Sequence, residues 1–326
     1  MASVRMAPAA PSGTPAVHAD ILGAIGGTPM VELRRLAPKP GVRLYAKLEG
    51  VNPTGSVKDR IARAMIGEAI ASGALRPGQM ILEPSSGNTG ISLAMIGARS
   101  GHPVRIVLPD NTTPERTQLL RAFGAEIVYS PGAAGSNGAI RLAQELAAAD
   151  PDLFMPFQYG NPANPQAHER GTGPEILAQV PDVDVFVAGL GTGGTLTGVG
   201  RFLKRVRPGV RVIAAEPLPG EQVQGLRSLE DGFVPPVLDA SVLDDRYLVN
   251  NRDAVVGLRR LTREEGIFGG LSCGAAVAVA VRVAREMDRG NVVVLLADGG
   301  WKYLSTDLWT RDLDELEDEL EGSVLW

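Results

Sequence analysis

Residues 183–204 run Val183-Asp184-Val185-Phe186-Val187-Ala188, then Gly189-Leu190-Gly191-Thr192-Gly193-Gly194-Thr195, then a helix-like stretch from Leu196 to Lys204. A short apolar run, a glycine-rich turn and an amphipathic segment in that order make the strand–loop–helix half of a βαβ unit. The alternation recurs: residues 42–48, 80–82, 104–108, 126–129, 210–215 and 292–297 also read as strands separated by helix-length segments. It predicts parallel sheets, and Val292-Val293-Val294-Leu295-Leu296 is apolar on both faces, as a buried parallel strand must be.

At about 150 residues per domain, 326 residues accommodate two such units. The expected fold is therefore α/β, with two doubly wound lobes and mainly parallel sheets. Aromatic, Asn and Pro residues interrupt the pattern at Gln158-Tyr159-Gly160-Asn161-Pro162. A smaller lobe is placed at residues 53–160, and a larger one combines residues 20–52 with 161–326. Residues 1–19, with Pro8, Pro11 and Pro15 among small side chains, read as a disordered tail.

Composition narrows the function. Thirty-two basic against 37 acidic residues give a net charge of -5, which provides no basic surface for nucleic acid. No apolar run approaches the ~18–20 residues that span a bilayer, so no membrane association is expected. Cys273 is the single cysteine and cannot form an internal disulfide; with only His18, His102 and His168 beside it, no metal site is expected. A reducing, cytoplasmic location follows.

In open α/β sheets ligands bind beyond the carboxyl ends of the strands, so the loops there are the candidate chemistry. The loop Gly189–Thr195 can bring backbone amides and the hydroxyls of Thr192 and Thr195 to an anion at a helix start, a phosphate site. It also matches G-x-G-x-x-G, with Glu216 lying 22 residues beyond Gly194, the spacing of a dinucleotide fold. An NAD-binding oxidoreductase is therefore the rival from another class. Gly270-Leu271-Ser272-Cys273-Gly274 matches the G-x-S-x-G nucleophile elbow, but all three histidines precede Ser272, against the order of that hydrolase triad.

Pro84-Ser85-Ser86-Gly87-Asn88-Thr89-Gly90 gathers hydroxyls, an amide and free helix-start N–H groups, which suits a carboxylate. Asn52-Pro53-Thr54-Gly55-Ser56-Val57-Lys58-Asp59-Arg60 puts a lysine in the first turn of a helix, the end where the dipole disfavours a cation. That placement points to an amine kept neutral for Schiff-base chemistry.

Together with Gln158-Tyr159-Gly160-Asn161-Pro162-Ala163-Asn164, these loops resemble the pyridoxal-phosphate-dependent cysteine synthases of fold type II, the tryptophan synthase β-like group, from about Asp20 onward. The resemblance implies pyridoxal 5'-phosphate in the interlobe cleft, held by Lys58 as a Schiff base. It further implies that Asn88 bonds the ring hydroxyl, that Gly191, Thr192, Gly193, Gly194 and Thr195 cup the phosphate, and that Ser272 faces the ring nitrogen. Ser85, Ser86, Thr89 and Gln158 would hold the substrate carboxylate; Ser85 stands where the family more often has threonine. Lys58 would also shuttle the α-proton in a β-replacement through an aminoacrylate.

Residues 225–235, Gly-Leu-Arg-Ser-Leu-Glu-Asp-Gly-Phe-Val-Pro, resemble the branch acting on O-phospho-L-serine, where Arg227 would receive the phosphate. O-acetyl-L-serine is the alternative substrate. That branch also implies sulfur from sulfide or from a thiocarboxylated ubiquitin-like carrier protein, and a tail, here ending Leu325-Trp326, that folds over the cleft. The family implies a homodimer. Cystathionine β-synthase and serine/threonine dehydratase share the lysine and glycine loops and are the alternatives within the class. The acidic run at residues 312–320, with leucines at helical spacing, reads as an amphipathic surface helix.

Overall fold

The structure, a computed structural model, describes residues 17–314 apart from Ser86, Gln222 and Asp231. The sequence readings for residues 1–16, for Ser86, for the acidic run from residue 315 and for Leu325-Trp326 lie outside the described residues.

Two sheets organise the chain. The larger is ordered β1 (Met30–Glu32), β2 (Val42–Leu48), β10 (Gly290–Leu296), β7 (Val185–Gly189), β8 (Arg211–Pro217) and β9 (Asp245–Val249). All its pairings are parallel except that of β1 with β2. The smaller is ordered β5 (Glu126–Ser130), β4 (Val104–Pro109), β3 (Met80–Pro84) and β6 (Leu153–Phe154), parallel throughout. The chain thus begins in the large sheet, leaves to build the small one, and returns.

Both faces of each sheet's inner strands are covered, which explains why those strands lack a polar side. Val185, Val187, Ile213, Val292 and Val294 point toward α8 (Asn251–Glu265) and α9 (Leu271–Glu286). The intervening Phe186, Ala188, Val212, Val293 and Leu295 pack with α6 (Gly173–Gln179) and α7 (Gly194–Val206). In the small sheet, Ile81 and Ile106 face α1 (Lys58–Ala71) and α2 (Asn88–Ser100). Leu82 and Val107 instead face α4 (Gly135–Ala149). Each of the Val, Ile, Leu and Phe side chains among them contributes about 1.5–3 kcal/mol through burial. This is the doubly wound α/β architecture expected from the sequence.

The differences lie at the edges. β1, β6 and β9 are not anticipated: two are only three and two residues long, and β9 is an edge strand whose Asp245 and Arg246 are exposed. Charged and very short edge strands carry no apolar run to read. α3 (Pro114–Ala122) and α5 (Ala163–Ala167) complete the helices used below. Among the described residues no helix is long and apolar enough to cross a membrane.

Candidate active site

Lys58 opens α1 directly after a turn through Gly55, whose φ of +80° belongs to the left-handed region that glycine tolerates. The turn is fixed to the end of β10: Val57 N–H donates to Ala297 O at 2.8 Å, and Ser56 bridges Asp298. The side chain lines a cavity of about 220 Å³. Loss of water around the Lys58 amine brings it from 10.5 down to about 8, against the opposing charges of Asp298 and Glu83. The cost of a cation at this helix end is thereby eased.

The β3–α2 loop supplies the next wall. Ser85 Oγ accepts from Gly87 N at 3.2 Å and from Gly90 N at 3.0 Å, so it ties the start of α2. Asn88 and Thr89 are the first residues of that helix and line the cavity with Ser85 and Gln158. Thr89 Oγ1 donates to Gln158 Oε1 at 2.7 Å. Gln158 is in turn held by Glu83, a fully buried residue whose carboxyl receives the N–H groups of Phe157 and Gln158 at 2.8 and 2.9 Å. This clamp matters because Phe157 has φ of +54°, which costs an L-residue free energy.

The β7–α7 loop is the candidate anion cradle. A Cβ on Gly191 would come within 2.7 Å of Gly225 O, and one on Gly194 within 1.9 Å of Asn164 Oδ1, so both positions exclude any side chain. Gly193, at φ +82°, precedes α7 and has no side chain to cap it; the first N–H of the helix, that of Gly194, donates to Thr192 Oγ1 at 3.3 Å. Asn164 Nδ2 donates to Thr192 Oγ1 at 3.1 Å. Thr195 Oγ1 lies 3.2 Å from His168 Nε2, whose other ring nitrogen is 3.0 Å from Thr172 Oγ1. Burial, then the cations Arg60 and Lys58, hold His168 neutral.

Glu216 has a different fate from the one its spacing suggested. It is 1% exposed, accepts from Leu229 N at 2.7 Å and pairs with Arg246 at 3.0 Å. Its carboxylate fixes the 228–229 loop and is not free for a ribose, so the dinucleotide reading fails at its acidic residue. Ser272 sits in the first turn of α9. Its Oγ would be 3.9 Å from a Cβ on Gly225, a cavity-lining residue, and among the described residues no histidine is hydrogen-bonded to it.

Arg227 also lines the cavity, 9% exposed, with its guanidinium 4.9 Å from the ring centre of Phe233 and 5.5 Å from that of Tyr159. Its Nη1 donates to Asn137 Oδ1 at 2.9 Å, reaching from the loop after β8 to the start of α4. The cavity therefore brings together Lys58, Ser85, Asn88, Thr89, Gln158, Gly191, Thr192 and Arg227. Ser272 and Gly193 through Thr195 stand at its border, outside its lining.

Several site residues were not found from sequence. Arg116, 3% exposed, crosses the cleft to Gln224 Oε1 at 2.5 Å and lies over the Tyr303 ring. Asp298, Lys302 and Tyr303 follow β10, and Asn137 and Asn164 start α4 and α5. The one available signal was position: residues 298–303 follow the most apolar strand of the large sheet, where ligands are expected.

A two-sheet α/β fold with an amine and a helix-start anion cradle in one cleft defines a class of enzymes that hold a phosphorylated aldehyde. Residues 21–298 match the family described as pyridoxal-phosphate dependent enzymes, and the chain belongs to it. A "probable cysteine synthase" of Bacillus subtilis is 44% identical over 90% of this chain and 98% of its own length. The crystal structure of an O-ureido-L-serine synthase superposes with a TM-score of 0.85 at 42% identity, covering 93% of this chain and all of that one. Cysteine synthase from Entamoeba histolytica gives 0.87 at 34% identity over 98% of this chain and all of its own. The cofactor is pyridoxal phosphate, and the residues fit it: Gly191 and Thr192 of the cavity wall lead into the N-terminus of α7, the kind of helix start that receives a phosphate, with a partly neutral amine in the same cavity.

Proposed function

We propose that this protein makes L-cysteine by β-replacement on O-phospho-L-serine. Lys58 would carry the cofactor, Gly191 through Thr195 its phosphate, Asn88 its ring hydroxyl, and Ser272 its ring nitrogen. Bound pyridoxal phosphate supplies an electron sink that makes the substrate α-hydrogen acidic and the β-substituent labile. Ser85, Ser86, Thr89 and Gln158 hold the substrate carboxylate, so the α-carbon is presented to Lys58. The Lys58 amine takes the α-proton and later returns it, a task suited to a group lowered to about 8. The Cβ–O bond breaks to release phosphate, a Cβ–S bond forms from the incoming sulfur, and the proton returns to the α-carbon. Sulfide and a thiocarboxylated ubiquitin-like carrier are the two donors this branch allows. A homodimer in a reducing cytoplasm is part of the same reading.

The observation that carries the choice of substrate is Arg227. It is a cleft-lining guanidinium, nearly buried and braced by Tyr159, Phe233 and Asn137. A planar donor fork of fixed charge suits phosphate better than acetyl. Arg227→Ala should lower kcat/KM for O-phosphoserine by ~1.5–3 kcal/mol, roughly 10- to 150-fold, and lower that for O-acetylserine far less. Equal losses on both substrates would remove the phosphate role and favour O-acetylserine, leaving the cofactor assignment intact.

A further inference from the structure

Beyond the cleft wall, the segment after β10 makes a buried polar cluster that none of the roles above uses. Asn88 Nδ2 donates to Asp298 Oδ2 at 2.7 Å, and Lys302 Nζ donates to Asn88 Oδ1 at 2.8 Å. Asp298 is 2% exposed and Lys302 fully buried. The cluster is itself braced: Lys302 Nζ donates to Gly55 O at 3.1 Å, Tyr303 Oη donates to the same Asp298 oxygen as Asn88, and Cys273 Sγ lies 3.4 Å from Asp298 O. Lys302 and Asp298 therefore hold the two ends of one side-chain amide.

The consequence is electrostatic. Turning the Asn88 amide over would set its carbonyl against a carboxylate and its NH₂ against an ammonium, two repulsive contacts between buried groups. An amide has one acceptor oxygen and two N–H donors. Here the oxygen is taken by Lys302 and one N–H by Asp298, and Asn88 lines the cavity. What remains toward a ligand is the second N–H, the amide's one unused donor, while the oxygen's second lone pair stays beside the Lys302 ammonium.

We propose that Asp298 and Lys302 are positioning residues that fix the Asn88 amide as a donor toward the cofactor ring hydroxyl, favouring its ionised form. The inference rests on Asn88 meeting that hydroxyl. An oriented donor stabilises the anionic ring oxygen, most of all once the link to Lys58 has lost its proton, and so lowers the pH at which that proton leaves. Neither residue touches the reacting atoms.

The test uses cofactor-loaded protein and the pH midpoint at which the long-wavelength absorption of the Lys58-linked cofactor gives way to the short-wavelength form. Asn88→Ala and Lys302→Met should each raise that midpoint by about one unit, whereas Asp298→Asn loses the orientation and a nearby anion together, so its effect is read in the cycle below. Lys302→Arg, which keeps a charged donor, should recover most of the shift. Because Asp298 and Lys302 also act through space, the deciding measurement is a double-mutant cycle. Adding Asp298→Asn or Lys302→Met to Asn88→Ala should move the midpoint little further. Full additivity, or a Lys302→Met variant that leaves the midpoint in place while Asn88→Ala shifts it, would overturn the positioning role alone. An unmoved midpoint in Asn88→Ala would overturn the hydroxyl contact as well. If Asp298→Asn fails to accumulate, having weakened its Tyr303 contact, the Lys302 variants decide the question by the same criteria.

Discussion

The lowered basicity of Lys58 sets a measurable pH dependence for loading the enzyme. A lysine at 10.5 is about 0.03% neutral at pH 7, whereas one at about 8 is roughly 9% neutral, a gain of ~300-fold in the nucleophilic form. The cause is burial at the start of α1, offset in part by Asp298 and Glu83. The assay mixes cofactor-stripped protein with pyridoxal phosphate at pH 6 to 10 and follows the growth of the long-wavelength band, with Lys58→Ala as the blank. The rate should climb about tenfold per pH unit and bend to a plateau near pH 8, because only the neutral amine attacks the aldehyde. Asp298→Asn removes a charge that supports the ammonium form, so the bend should move to lower pH. A rate that keeps climbing through pH 10, with no bend near 8, would refute the argument that burial tunes this amine.

Two substitutions probe the walls around it. Glu83→Gln replaces one acceptor oxygen by an NH₂ that faces a backbone N–H of Phe157 or Gln158; thermal and denaturant unfolding should show ~1–3 kcal/mol of lost stability, and KM for the amino-acid substrate should rise. Unchanged stability would remove Glu83 as the support of that turn. Gly194→Ala puts a Cβ within 1.9 Å of Asn164 Oδ1, so equilibrium dialysis should show weakened retention of pyridoxal phosphate, and undiminished retention would show that the loop is not the phosphate cradle.

The readable part of this protein is the part written in local pattern. Strands β2, β3, β4, β7, β8 and β10 announce themselves because they lie mostly buried, β5 by its apolar Ile127-Val128-Tyr129, and the loops at Lys58, Ser85–Thr89 and Gly189–Thr195 because glycine and helix-start chemistry are local properties. Long-range partners were not legible. Asn88 could be picked out, but its companions lie 210 and 214 residues away, in a segment whose Asp298 and Lys302 look like ordinary polar residues after a strand. Glu216 shows the converse error: its spacing fits a ribose contact, while the fold spends its carboxylate on Leu229 N. Arg227 stood out by its neighbours in sequence, yet only the fold shows it spanning the cleft to Asn137.

The central claim is that one particular amine, Lys58, holds the cofactor, although a second buried amine, Lys302, also brought down to about 8, stands in the same region. Borohydride reduction of the loaded enzyme, followed by peptide mass mapping, separates them. The expected result is a single pyridoxyl phosphate adduct on the peptide carrying Lys58. An adduct on Lys302 or another lysine, or no adduct in a protein that retains the cofactor, would contradict the account.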